Sequence, residues 1–108
     1  MSAFAPRQAR ASTQPRHPRA EPATGEVFHC YALAAEPDPS VLPRALEFIA
    51  KRGLLPYRVH ATREGRDGRE LAIDLQVGGL DQMTADHVGA CLRQIVGVNA
   101  VMMSLITR

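Results

Sequence analysis

The chain has 108 residues, with 13 Lys+Arg against 11 Asp+Glu, a length that favours one domain over two. Arg7, Arg10, Arg16 and Arg19 fall within residues 1–26 beside Glu21 and Glu26, so the nine basic and nine acidic groups of the remainder cancel. A neutral body argues against a phosphate-binding, nucleic-acid face, and no apolar run approaches the ~18–20 residues that cross a membrane.

The first stretch, "MSAFAPRQARASTQPRHPRAEPATGE", lacks the apolar middle region of a secretory signal. Its Arg-rich, acid-poor start has the flavour of a transit peptide, but Pro6, Pro15, Pro18 and Pro22 would break the amphipathic helix such a peptide needs. The expectation is a disordered, solvated, basic and Pro-rich tail over 1–26, followed by one domain over 27–108 of a cytoplasmic protein.

"VFHCYALAA" opens that domain as a strand, with Phe28, Cys30 and Ala32 on one face and His29, Tyr31 and Leu33 on the other. Both faces are mostly apolar, the pattern of a central strand. "EPDPS" then leads into a helix. Ser40 is the N-cap that places Pro43 third in the helix, where its missing N–H costs nothing. A cap at Asp38 with Pro39 first is the alternative, with Pro43 interrupting a backbone bond. Leu42, Ala45, Leu46, Ile49 and Ala50 make the apolar stripe, widened by Val41 and Phe48. Glu47 and Lys51 are spaced for a weak i,i+4 pair, and Gly53 supplies the left-handed stop.

"YRVHATR" alternates Tyr57, Val59 and Ala61 against Arg58, His60 and Thr62; "ELAIDLQV" alternates Leu71, Ile73, Leu75 and Val77 against Ala72, Asp74 and Gln76. Asp67–Gly68 between them predicts a hairpin with one core face and one polar face. A second helix starts near Thr84, with Met83 and Val88 spaced as a hydrophobic staple, Val88, Cys91, Leu92, Ile95 and Val96 as its stripe, and Gly97 as its end. "AVMMSLIT" is a last strand, apolar on both faces.

The order strand, helix, strand, strand, helix, strand predicts an α+β, ferredoxin-like βαββαβ fold, a four-stranded antiparallel sheet with both helices on one face. The hairpin's first strand and the last strand become its edges. Phe28, Cys30, Ala32, Met102 and Ile106 then share one face, and Tyr31, Leu33, Val101, Met103 and Leu105 the other. A body of this size buries a small fraction of its surface alone, so a homodimer is expected, its second subunit covering the bare face or an edge.

Catalytic and metal chemistry find little support. His87 and Cys91 are one helical turn apart, but a closed zinc site needs four ligands, or three and an open position. The turn after the first strand has no Cys-x-x-Cys, and Cys30 and Cys91 are best explained as small buried hydrophobes in a reducing compartment. Ser40 has no Gly-x-Ser-x-Gly around it, "GG" at 78–79 is too short for a phosphate loop, and "LAIDLQV" lacks the aromatics of an RNA-recognition strand.

"PDPSVLPRALEFIAKRGL" and "LRQIVGVNAVMM", with Leu92, Ile95, Val98 and Val101 at their spacing, resemble an ACT domain over residues 28–106. More narrowly they resemble the small regulatory subunit of acetolactate synthase (acetohydroxyacid synthase), in its short single-domain form. The resemblance implies a non-catalytic protein with no cofactor of its own. It would bind and stabilise or activate a thiamine-diphosphate-dependent catalytic subunit of branched-chain amino-acid biosynthesis. It also implies an amino-acid pocket at the turn before the first helix, built on an Asn/Asp, a Gly, and an Asn of the neighbour's second strand. Here Pro37, Ser40 and Leu55 fall at those three positions. Ligand contacts are therefore expected on Asp38, Pro39, Ser40, Val41, Leu42 and Leu55, with valine, leucine or isoleucine held weakly by the helix N-terminus. The alternatives are a free-standing dimeric small-molecule sensor, and a basic tail that binds an acidic surface or nucleic acid.

Overall fold

The computed structural model describes residues 26–107; the expectations for the tail therefore lie outside the described residues, Glu26 apart. The elements are β1 (Val27–Ala35), α1 (Val41–Lys51), β2 (Arg58–Glu64), a single 3₁₀ turn (Arg66–Gly68), β3 (Glu70–Gly78), α2 (Gln82–Arg93) and β4 (Val98–Thr107). The sheet order is β2-β3-β1-β4, with every neighbouring pair antiparallel. This is the expected ferredoxin-like arrangement, with β2 and β4 at the edges. No helix among the described residues is long and apolar enough to cross a membrane.

Strand β1 is apolar on both faces because it lies between β3 and β4. Tyr31, opposite Leu75 and Met103, and Leu33, opposite Ile73 and Val101, face the helices. They close on Val41, Ala45 and Ile49 of α1 and on Val88 and Leu92 of α2. Each large aliphatic side chain buried there contributes roughly 1.5–3 kcal/mol. The Tyr31 hydroxyl donates to the Ala85 carbonyl at 2.7 Å, tying the central strand to α2 and satisfying the polar end of a fully buried ring. Gly97 belongs to this packing. Its φ is +99°, and a Cβ there would stand 2.9 Å from Val41 Cγ2.

Several local expectations are corrected. The α1 stripe centres on Val41, Ala45 and Ile49, and Ala50 is exposed. Ser40 sits at the N-cap, its carbonyl accepting from Arg44 N, but its side chain makes no cap hydrogen bond. The cap of α2 is Asp81, whose carboxylate accepts from Thr84 N at 2.7 Å; Met83 then points to solvent and staples nothing. Helix α2 ends at Arg93, four residues before Gly97, so Ile95 and Val96 lie in the turn beyond it and Val96 is exposed. Cys30 and Cys91 are free and half-buried rather than fully buried.

Strand β2 departs furthest. Its residues are exposed except for half-buried Thr62, because an edge strand lies beyond the reach of the helices that cover β1 and β3. Tyr57 precedes the strand and lays its ring 4.6 Å from that of Phe28, so it covers the end of the open face instead of joining Val59 and Ala61. The open face is mixed. Its β1–β4 half carries Cys30, Ala32, Ala34, Ala100, Met102 and Ile106, and its β2–β3 half carries Arg58, His60, Glu64, Asp74 and Gln76.

Burial, with the Asp86 charge adding to it, pushes the Tyr31 hydroxyl from 10.0 up to about 12. A raised value makes the folded state hold its proton longer than the unfolded state, so the stability Tyr31 supplies is complete below pH 10 and lost as the pH climbs towards 12. Chemical denaturation from pH 9 to 12 should therefore show a falling midpoint. Tyr31→Phe should lower stability at pH 8 by about 1 kcal/mol and flatten the alkaline decline.

Candidate functional site

The turn between β1 and α1 is built on one carboxylate. Asp38 Oδ1 accepts from both the Ser40 N–H and the Ser40 hydroxyl, each at 2.8 Å, an Asx turn. The Ser40 backbone N–H first, and its hydroxyl second, hold the Asp38 carboxyl below its usual range. The Asp38 carbonyl accepts from Val41 N at 3.1 Å, and the Asp38 N–H donates to Glu36 O at 2.7 Å. A further bond, Glu36 N to Gly97 O at 2.8 Å, fastens the turn to the chain entering β4. Pro43 has no N–H. Leu42 N is thus the first-turn donor without a partner among the described residues.

Beside this turn lies a groove of about 390 Å³ lined by Pro37, Asp38, Pro39, Leu42, Pro43, Arg63 and Leu71. Three prolines and two leucines make its walls hydrocarbon. Arg63 is its cation, with Nε donating to the Gly68 carbonyl at 2.6 Å, which leaves the remaining guanidinium donors for other contacts. Of the residues expected to touch a ligand, Asp38, Pro39 and Leu42 line this groove. Ser40 is beside it with its hydroxyl committed to Asp38, and Val41 is fully buried in the core. Leu55 is 88 % exposed and outside the groove. Sequence reasoning missed Pro43, Arg63 and Leu71 as lining residues. For Arg63 the signal was present: it continues the Val59, Ala61 face of the β2 alternation, which turns towards α1.

On the other side of the turn, a cleft of about 350 Å³ is lined by Glu36, Glu64, Glu70, Arg69 and Asn99 among others, with Asn99 Nδ2 donating to Glu36 Oε2 at 3.0 Å. No group of three metal-ligating side chains occurs among the described residues. The Cys91 sulfur is 3.6 Å from His87 Nε2, and the Arg52 guanidinium also reaches that nitrogen. With the Arg52 guanidinium against Nε2, a metal shared between His87 and Cys91 there would have to displace a cation.

The family model for the ACT-like domain matches residues 23–108, and the chain belongs to that family. Among solved structures, the C-terminal domain of the MgtC protein from Mycobacterium tuberculosis is similar over 82% of this chain and 96% of that one, at 13% identity and a TM-score of 0.64. The ACT domain from GTP pyrophosphokinase of Chlorobium tepidum is similar over 73% of this chain and 99% of that one, at 13% identity and a TM-score of 0.61. The regulatory subunit of aspartate kinase from Thermus thermophilus, in its ligand-free form, is similar over 73% of this chain and 50% of that one, at 10% identity and a TM-score of 0.57. Identities this low establish the fold alone. No curated protein matches the chain.

Asp38 holds the turn by its charged form. Because its carboxyl is held below 3.8 in the folded state, the stability it supplies is present above that value and lost as the pH falls through the folded value. Asp38→Ala should melt at a lower temperature than the unsubstituted protein at pH 7, and the gap between their melting curves should close as the pH drops below 3.8.

Proposed function

We propose that this ACT-like protein is a non-catalytic regulatory subunit that binds a thiamine-diphosphate-dependent catalytic subunit of the acetolactate synthase type and stabilises or activates it. Thiamine diphosphate, flavin and magnesium then belong to the partner. The subunit can change the partner's activity only by binding one of its conformations more tightly than another. The observation that carries this reading is apolar surface left outside the core of a small regulatory-family domain. Leu55 and Val59 flank the β2 edge, Met102 is 73 % exposed on the open face, and Leu105 is exposed beside the β4 edge. Such surface is expected where a second copy and a larger partner dock. The leucine and valine spacing of residues 92–101 agrees with this choice of partner, and a cytoplasmic location follows from it.

The turn supports weak amino-acid binding at most. A free amino acid brings a carboxylate and an ammonium, each needing hydrogen-bond partners on leaving water. The Asp38 carboxylate and the Ser40 hydroxyl are already used by each other. A second reading, a free-standing dimeric sensor of a mostly apolar molecule, draws on the groove at Arg63, whose walls suit hydrocarbon and whose cation suits one anionic group.

Two measurements separate these readings. Mixing the purified chain with a catalytic acetolactate synthase subunit should give a co-eluting complex and raised synthase activity, with light scattering of the chain alone giving twice the monomer mass at micromolar concentration. No complex and a stable monomer would end the subunit proposal. Isothermal titration with valine, leucine and isoleucine should show no saturation at micromolar ligand; clear saturation there would overturn the reading of the turn as a weak amino-acid binder at most.

A further inference from the structure

A third groove, about 230 Å³, lies between the first turns of α2 and the edge strand β4, away from the β1–α1 turn. His29, Gln82, Asp86, Met103, Ser104 and Leu105 line it. His29 is 6 % exposed, and both of its ring nitrogens are buried without a hydrogen-bond partner. A neutral imidazole has one N–H and one lone pair to satisfy, and burying such groups unpaired is costly. The sheet alternation puts His29 on the helix-covered face beside Tyr31, opposite Leu105. It therefore looks up towards the start of α2.

The second unbalanced group is Asp86. Its Oδ1 accepts from Gln82 Nε2 at 2.8 Å, which positions it over the groove without neutralising it. The salt bridges among the described residues are Lys51–Glu47 and Arg69–Asp67, so no cation there pairs with Asp86. Its charge is felt inward, where it disfavours the ionised form of Tyr31. The groove thus combines an unpaired carboxylate, an unused ring lone pair and the hydrocarbon of Met103 and Leu105. An anion would be repelled, and a purely apolar guest would leave both polar groups as they are.

We propose that this groove binds a guanidinium or primary ammonium group on a short alkyl stem, with the cation on Asp86, one donor on the free ring nitrogen of His29 and the stem against Met103 and Leu105. The volume admits roughly seven water-sized groups, enough for such a head and three or four carbons. Both ring nitrogens are shut off from solvent, so a donor reaches the ring only when a lining side chain shifts; the unbranched Met103 can do so and still lie along the stem. The cation has two possible sources, a free amine or an arginine of the chain's own residues 1–25. That segment holds Arg7, Arg10, Arg16 and Arg19 and joins β1 next to Val27, two residues from His29.

The test is isothermal titration of ethylguanidine and n-butylamine at fixed ionic strength into the full chain and into the full chain carrying Arg7→Ser, Arg10→Ser, Arg16→Ser and Arg19→Ser. Ring ¹⁵N shifts of His29 are followed alongside. Saturable binding with a shift at His29 is expected. Equal affinity in the two proteins assigns the groove to a free amine; tighter binding after the arginines are removed assigns it to the chain's own segment. Asp86→Asn, at the surface, should weaken binding about tenfold or more, the weight of one charge-assisted hydrogen bond. His29→Phe should abolish the ring contribution while keeping the fold, checked by circular dichroism. No saturation in either protein, or unchanged affinity in Asp86→Asn, overturns the proposal.

Discussion

The Tyr31 hydroxyl crosses the core to the Ala85 carbonyl, and most of the architecture can be traced from that bond. It fixes which face of β1 the helices cover, because a fully buried Tyr ring on the central strand needs its polar end met. Once that face is set, the registers of β1 with β3 and β4 set it for the whole sheet, since directly paired residues share a side. Leu33, Ile73, Leu75 and Val101 follow Tyr31 inward; Cys30, Ala32, Asp74 and Met102 are turned outward. Two short helices cover β1 and β3 and leave the helix-side face of β2 largely bare. The groove beside Arg63 exists for that reason: α1 stops short of β2, and the β1–α1 turn overhangs the gap.

Element type and order were legible because each element of the domain announces its period. Strand β3 alternates cleanly, α1 repeats at helical spacing, and β1 is apolar on both sides as a central strand must be. What the period could not convey was coverage. Strands β2 and β3 alternate alike, yet Ile73, Leu75 and Val77 are buried while Val59 is 42 % exposed. That difference comes from strand order, set by long-range pairing. Cap chemistry was legible only in part: Ser40 is the N-cap of α1 as its position implies, whereas the cap of α2 is Asp81 and not Thr84. Ser40 and Thr84 are both residue types that cap helices, but each is preceded by an aspartate, at 38 and 81, whose ionised oxygen is the stronger acceptor. Asp81 accepts from the Thr84 N–H as a cap, while Asp38 accepts from the N–H and hydroxyl of Ser40 and so removes that hydroxyl from capping.

The candidate site was legible in part. The turn from Pro37 to Leu42 is contiguous, so a sequence pattern could point to it. Arg63 and Leu71 come from the hairpin, eight residues apart in sequence and paired across it, and reach the turn only through the fold. Leu55 drew attention through the family resemblance alone, and it lies exposed at the surface outside the groove.

A hydrogen-bonded turn and a binding site make opposite demands on the same groups. A carboxylate that accepts two bonds from Ser40 gives rigidity to the entry of α1, and those two bonds would have to be surrendered before Asp38 could grip an ammonium group. What that turn leaves for contact is the hydrocarbon of its prolines and leucines and the Arg63 guanidinium. The groove under α2 reverses the situation. Its histidine and aspartate are held in place by neighbours that do not satisfy them, so a guest that completes their bonds gains what the free protein forgoes. In this small domain the β1–α1 turn holds the fold together, and the capacity for polar recognition resides where the fold leaves its bonds unmade.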